Sequence, residues 1–370
     1  MHHTKKALVL SGGGGRGAYH VGVLRYLVDS GWMPDGQGPD IIAGTSIGAI
    51  NAAAVASGHT IAQIKQLWLD MHTEDVHRLS SDLPAISRPL LRWMLHGVLT
   101  SDAHGGSTGA LPPNERGMSA QKMLDRLRGV FQARPFRSLL DTAPWRTTLA
   151  RWMNFERING PDAPALLLAA TELRTGALRV FCNRPHEGLP ADQIVLDHLM
   201  ASSSIPIVYP WTTINGQHYW DGAVLANTPL EPVIEMAGDD DIEILVVTMT
   251  PWHIDQSAPE QLPQDLVQAL TLTLDWALLA SYRTAFQTLD ERNLLAEAAA
   301  KLDAAAERLN DDSLRLAGPI PRRITPPVVI APDDLMPLDW IIDYEETNHQ
   351  RLFEQGYNDA QRAMQAQAIL

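Results

Sequence analysis

The chain has a single cysteine, Cys182, in 370 residues, so it closes no internal disulfide and offers no cysteine-based zinc pattern. A lone thiol fits a reducing compartment, and a cytoplasmic chain that meets membranes only peripherally is the expectation. Long apolar runs are scarce. Near the N-terminus only residues 7–10 qualify, after Lys5 and Lys6, whereas a secretory h-region needs roughly 7–15 residues. Residues 41–58 are uncharged and nearly long enough to span a bilayer. Gly44, Ser46, Gly48 and Asn51 interrupt them, which reads as a buried strand followed by a buried helix, with no transmembrane segment. Positive charge is also in deficit: 29 Lys and Arg against 43 Asp and Glu leave a net charge of −14. Long-range repulsion then works against nucleic acid and anionic bilayers as partners. There is no internal repeat and no stretch that reads as an inter-domain linker, so residues 1–370 are expected to form one domain.

What is present supports a sizeable core. Hydrophobic residues make up 45% of the chain, and 26 glycines and 25 prolines are spread along it. Residues 7–10 read as a buried strand that runs into a glycine turn. Apolar residues then recur at helical spacing at Ala18, Val21, Leu24, Leu27 and Val28, with Gly31 as terminator. Residues 40–43 give a second strand and residues 49–57 an alanine-rich helix. Strand–helix–strand–helix in so short a span implies parallel pairing and an α/β fold, a layered, largely parallel sheet flanked by helices. Further strands are expected at 165–171, 177–182, 242–249 and 326–330, with helices over 262–309 and 345–368. Residues 86–99 are read as an amphipathic helix, with Arg88, Arg92 and His96 on one side and Leu91, Met94, Leu95 and Val98 largely opposite. It serves either as a helix packed on the core or, with the glycine-rich loop 102–117, as a mobile cover.

Two motifs carry chemistry. Gly12-Gly13-Gly14-Gly15-Arg16-Gly17 follows a strand and opens a helix, where bare backbone and helix-start amides favour negative charge. The run also satisfies the dinucleotide fingerprint, with Asp35 or Asp40 available for a ribose, and it is equally compatible with a plain tight turn. Arg16 is open between a surface charge, a brace for the loop and a contact to an anionic head group. Gly44-Thr45-Ser46-Ile47-Gly48 fits G-x-S-x-G, in which small flanking residues allow a sharp strand-to-helix elbow that exposes the serine hydroxyl. The bland alternative makes Ser46 a helix cap between packing glycines. A nucleophilic serine needs a proton acceptor and oxyanion donors. Gly12–Gly15 amides can supply the donors if both elbows reach the same sheet edge. For the acceptor, His253 and His349 are formal candidates, although neither lies in a turn-rich context. An ordinary α/β-hydrolase places its nucleophile deeper in the domain than the second strand.

These two motifs and Asp221-Gly222-Ala223, in this order and spacing, resemble the patatin-like phospholipases. Thr171-Glu172 with Gly176 resembles that family's T-D/E-x-x-x-G segment, and Ala201-Ser202-Ser203-Ser204-Ile205-Pro206 with Pro210 resembles its A-S-x-x-x-P stretch. The likeness is strong over residues 7–229 and weaker near 352–360. Residues 70–159 match nothing and read as a variable insertion, and residues 262–370 as a helical C-terminal part. The resemblance implies Ser46 as nucleophile and Asp221 as its base, with Gly222 and Ala223 in the aspartate motif. It also implies an oxyanion hole from the segment Gly12, Gly13, Gly14, Gly15, Arg16 and Gly17, and a nucleophile elbow at Gly44 and Gly48. The substrate it implies is an acyl lipid, met at a membrane or micelle surface, and the reaction needs no metal and no cofactor. Without the other motifs, Asp221-Gly222 is a plain turn.

Overall fold

The apolar runs of the sequence become the strands of one eight-stranded sheet. The computed structural model describes residues 4–81, 137–185, 190–252, 262–263, 266–316, 320–337 and 339–367. The expected helix over 86–99 and the loop 102–117 lie outside these residues. The strands are β1 (Lys5–Leu10), β2 (Ile41–Thr45), β3 (Ala165–Glu172), β4 (Leu178–Cys182), β5 (Thr212–Ile214), β6 (Gln217–Asp221), β7 (Ile242–Val247) and β8 (Val328–Ile330). The helices that concern the site are α1 (Ala18–Asp29), α2 (Ile47–Ala56), α3 (Ile61–Leu69), α4 (Ala143–Trp152), α5 (Leu196–Ser202), α6 (Leu230–Ala237), α7 (Leu266–Leu309) and α8 (Glu346–Gln367). None of the described helices is long and apolar enough to cross a membrane.

Strands β8, β7, β1, β2 and β3 are neighbours in that order and all parallel. Helices cover both faces, and the side chains alternate between two cores as the pleat requires. Leu8, Leu10, Ile42, Leu166, Leu168, Leu245 and Val247 face the core beneath α1, α2, α3 and α8. Ala7, Val9, Ile41, Ala43, Leu167, Ile244 and Val246 face the opposite core, with Leu230, Val233 and Ile234 of α6 and Leu289 of α7.

The register on β3 decides the site. Ala169 pairs with Thr45 of β2 and with Val180 of β4, so both its edges are taken. The next residue, Ala170, pairs with Arg179 of β4 and with Asp221 of β6. Strand β6 therefore occupies the same edge of β3 as β2, running the opposite way. The two strands meet end to end, β2 finishing at Thr45 and β6 at Asp221. The loops that follow them emerge side by side.

Candidate active site

Ser46 is the first residue beyond β2 and caps α2, at φ 56 and ψ −127. A non-glycine residue in that region is strained, and strained residues concentrate at functional sites. The strain is held from both sides. The Ser46 amide donates to the carbonyl and the Oγ of Ser202, each at 3.1 Å. Gly44 and Gly48 admit the bend, because a Cβ on Gly44 would overlap the Gly48 carbonyl and one on Gly48 the Leu10 carbonyl.

Asp221 ends β6 and is 2% exposed. Its amide donates to the Ser204 carbonyl at 2.9 Å, and its carbonyl accepts from Thr171 Oγ1 at 3.0 Å. Its Oδ1 accepts from the Ala223 amide at 2.8 Å, and Ser46 lies close enough for its hydroxyl to favour the ionised carboxylate. Burial pushes the Asp221 carboxyl up to about 7, against the lowering pull of the Ser46 hydroxyl and the Ala223 amide. A carboxylate with so raised a pKa is a far better proton acceptor than one in water.

The glycine run leaves β1 on the strand beside β2, so both elbows stand at the carboxyl edge of the sheet. Residues Gly14–Gly17 form one tight helical turn, with Gly14 at φ +59. The Gly12 amide donates to Asn227 Oδ1 at 2.8 Å, and the Arg16 amide to the Gly13 carbonyl at 3.3 Å. The Gly13, Gly14 and Gly15 amides have no acceptor among the described residues. Gly12 also lies against Ser46: a Cβ there would come within 2.9 Å of Ser46 Cβ.

Arg16 is 1% exposed and is not a surface charge, nor can it meet a head group. Its guanidinium bonds Asp275 of α7 at 3.0 Å, the Met336 carbonyl at 2.8 Å and the Pro337 carbonyl at 3.2 Å. It thereby braces the glycine turn against α7 and a C-terminal strap. Beyond Arg16's contacts the strap lies on the turn itself, where Cβ atoms on Gly14 and Gly15 would overlap the carbonyls of Ile341 and Asp343.

The sequence reading missed several partners. Asn227 is fully buried, holds Gly12 and donates from Nδ2 to the Tyr282 hydroxyl at 2.6 Å. Its place six residues after Asp221 was the only signal available. Asn51 Nδ2 donates to the Gly17 carbonyl at 3.0 Å, and Asn51 Oδ1 accepts from Trp68 Nε1 at 2.9 Å. His77 Nδ1 lies 2.9 Å from the Tyr209 hydroxyl, and the His77 ring also packs edge-on against Tyr344, 6.3 Å between centroids. His349 is fully buried on α8 and packs edge-on against Trp68, 5.0 Å between ring centroids. His253 lies outside the described residues. Among the described residues no group of three or more His, Cys, Asp or Glu side chains is placed to hold a metal ion.

The ribose roles considered for Asp35 and Asp40 do not fit. Asp40 precedes β2 and its carboxylate accepts from the Lys6 amide at 2.8 Å, at the amino edge of the sheet, opposite the glycine turn. Asp35 Oδ1 accepts from the Ile61 amide at 2.8 Å, at the start of α3.

The family model for patatin-like phospholipases matches residues 8–234. A cUMP-AMP-activated phospholipase of Escherichia coli is 38% identical over 85 residues, which are 23% of this chain and 25% of that protein. A patatin-like phospholipase domain-containing protein of Aspergillus oryzae is 37% identical over 94 residues, 25% of this chain and 12% of that protein. The match thus spans a quarter or less of these curated relatives. Among solved structures, VipD from Legionella pneumophila aligns at a TM-score of 0.47 and 14% identity, over 98% of this chain and 67% of that one. The ExoU–SpcU complex of Pseudomonas aeruginosa aligns at 0.29 and 17%, over 84% of this chain and 58% of that one. With the family model running over more than half of its length, the chain belongs to the patatin-like phospholipase family.

Proposed function

We propose that the chain is a serine lipid acyl hydrolase that cleaves carboxylic ester bonds of phospholipids or other acyl lipids through Ser46 and Asp221. One observation carries the reading: β2 and β6 meet end to end on β3, which sets Ser46 beside a buried carboxylate of raised pKa. In this reading Asp221 takes the Ser46 proton as Oγ attacks the ester carbonyl. The free amides of Gly13, Gly14 and Gly15 stabilise the tetrahedral oxyanion. The alcohol departs with the proton held by Asp221 and leaves an acyl ester on Ser46. Asp221 then takes a proton from water as that water attacks the ester, and returns it to Ser46 Oγ as the acyl–oxygen bond breaks and the fatty acid is released. Every step uses this chain's own groups.

The test is hydrolysis of short esters, long esters and phospholipids, with fluorophosphonate labelling in parallel. The wild type should hydrolyse acyl esters and take the label, and Ser46→Ala should do neither while remaining folded. Full labelling and turnover in Ser46→Ala would move the nucleophile elsewhere.

A further inference from the structure

Residues 201–230 are unlike the rest of the chain. Charged residues make up 19% of the sequence, yet in this stretch the one charged side chain is Asp221, and it is buried. The stretch also holds three large apolar side chains out in solvent: Ile207 is 63% exposed, Val224 51% and Leu225 43%. Trp211 and Trp220 are half-buried in the same stretch.

Ile207 violates two local preferences at once. Its φ is 71, where a β-branched residue is a genuine outlier and Gly or Asn is the usual occupant. Its side chain is apolar in a place where water would favour a polar one. The conformation is imposed by its neighbours: the Ile207 carbonyl accepts from the Leu139 amide at 3.0 Å, and the Val208 carbonyl from the Leu140 amide at 2.9 Å. The backbone is tied on this side and the side chain is held outward. Strain that persists in a tied loop points to a use for the residue.

The position of these residues suggests the use. The segment that ends in Ile207 also supplies Ser202 and Ser204, which seat the Ser46 and Asp221 amides. The segment with Val224 and Leu225 follows Asp221 directly and supplies the Ala226 carbonyl that accepts from the Thr45 hydroxyl at 2.8 Å. Apolar exposure therefore sits on the two segments that build the candidate pair.

We propose that residues 201–230 form a docking face for an electrically neutral lipid surface, entered by Ile207, Val224 and Leu225. The proposal rests on the reading of Ser46 and Asp221 as a lipid-hydrolysing pair. Charge selects the occupant. The stretch itself carries no exposed charge, with the Arg137 guanidinium lying over the Trp211 ring at its margin, and a chain of net charge −14 is repelled by anionic lipid. A zwitterionic surface imposes no such repulsion, and apolar side chains inserted at its boundary supply the affinity.

The test uses the full chain with Ser46→Ala, so that no lipid is consumed, and reads co-sedimentation with phosphatidylcholine vesicles. Binding is thus scored without turnover: a failed hydrolase reading leaves this result standing, and the reverse. The parent should partition onto the vesicles, and adding anionic lipid should weaken it. Ile207→Asn should lower partition about tenfold, as removal of one inserted apolar side chain does. It should also raise Tm, because Asn tolerates the left-handed conformation. Val224→Ser with Leu225→Ser should lower partition by at least as much. No binding by the parent, unchanged binding in both variants, or binding that strengthens with anionic lipid would overturn the proposal. Self-association that these substitutions abolish would overturn it too, and assign the face to a second copy of the chain.

Discussion

At the scale of single residues, Asp221 carries the most chemistry. As the proposed base it acts only when ionised, so kcat/KM should fall with an apparent pKa of about 7 as pH drops. Asp221→Asn should cost roughly 10³-fold or more in turnover, like Ser46→Ala, because both remove the same step. Its stability effect has the opposite sign. An acid whose pKa is raised on folding binds its proton more tightly in the native state, so the native state loses stability as pH rises from 3.8 through about 7. Asp221→Asn should therefore melt higher than the wild type at pH 8, and the gap should narrow below pH 7. An Asn variant that turns over at the wild-type rate removes Asp221 from the chemistry. Arg16 makes a second residue-scale prediction. Its removal leaves Asp275 buried and unpaired, so Arg16→Ala should lose about 3–5 kcal/mol in denaturant unfolding. Arg16→Lys should recover only part of this, since an ammonium cannot reproduce the planar fork that meets Asp275, Met336 and Pro337 together. Wild-type stability in Arg16→Ala would show that the strap needs no brace. Ser46, Asp221 and the glycines were legible because their motifs are contiguous in sequence. Asn227, His77, Tyr209 and Tyr344 were not, because each acquires its role from a partner far away in sequence or spread over separate loops.

At the scale of elements, the parallel strands were legible because burial on both faces leaves them as plain apolar runs: β1, β2, β3 and β7 all read this way. The β5–β6 hairpin went unread. Its strands mix polar and apolar residues, and the sequence between them, Asn215-Gly216, is the two-residue turn that joins twisted strands, with φ 50 and 79. That signal was present and decisive, since β6 delivers Asp221. Helix contacts stayed hidden too. Gly22 of α1 and Gly356 of α8 let the two backbones touch: Cβ atoms there would overlap the carbonyls of Phe353 and Tyr19. Nothing in the sequence of either helix names its partner. Gly22→Ala gains about 0.8–1 kcal/mol of helix propensity. It must also force two rigid backbones apart, and overpacking typically costs about 1–3 kcal/mol. The expected outcome is a lower Tm for Gly22→Ala. A higher Tm would mean that α1 and α8 do not touch at this glycine.

At the scale of the molecule, the C-terminal helices complete the motif region. Asp275 and Tyr282 of α7 reach Arg16 and Asn227, Tyr344 reaches Thr73, and Asp359 of α8 takes the Tyr19 hydroxyl at 2.9 Å. This packing buries three histidines between helices and strap, which makes the whole chain sensitive to acid. Burial lowers His20 from 6.5 to about 3, and His77 and His349 from 6.5 to about 4. A base whose pKa is depressed on folding takes up its proton on unfolding. Its contribution is complete above pH 6.5 and is lost as pH falls from there toward 4. Each such histidine tilts stability by about 1.4 kcal/mol per pH unit in that window. Asp221 and Asp359, both raised by burial, oppose this, because the native state holds their protons. His198, lowered by burial as well, adds to the histidine side, so the histidines set the sign of the acid response. Stability should therefore decline between pH 6 and pH 4.5 and level off above about pH 7, where the histidine contributions are complete and the loss from Asp221 has already been taken. His349→Leu isolates one of them, in a position packed on Trp68. Chemical unfolding as a function of pH should show its acid slope flattened by about 1.4 kcal/mol per pH unit. If His349→Leu and the wild type lose stability in parallel down to pH 4.5, the buried histidines are not what makes the fold acid-sensitive.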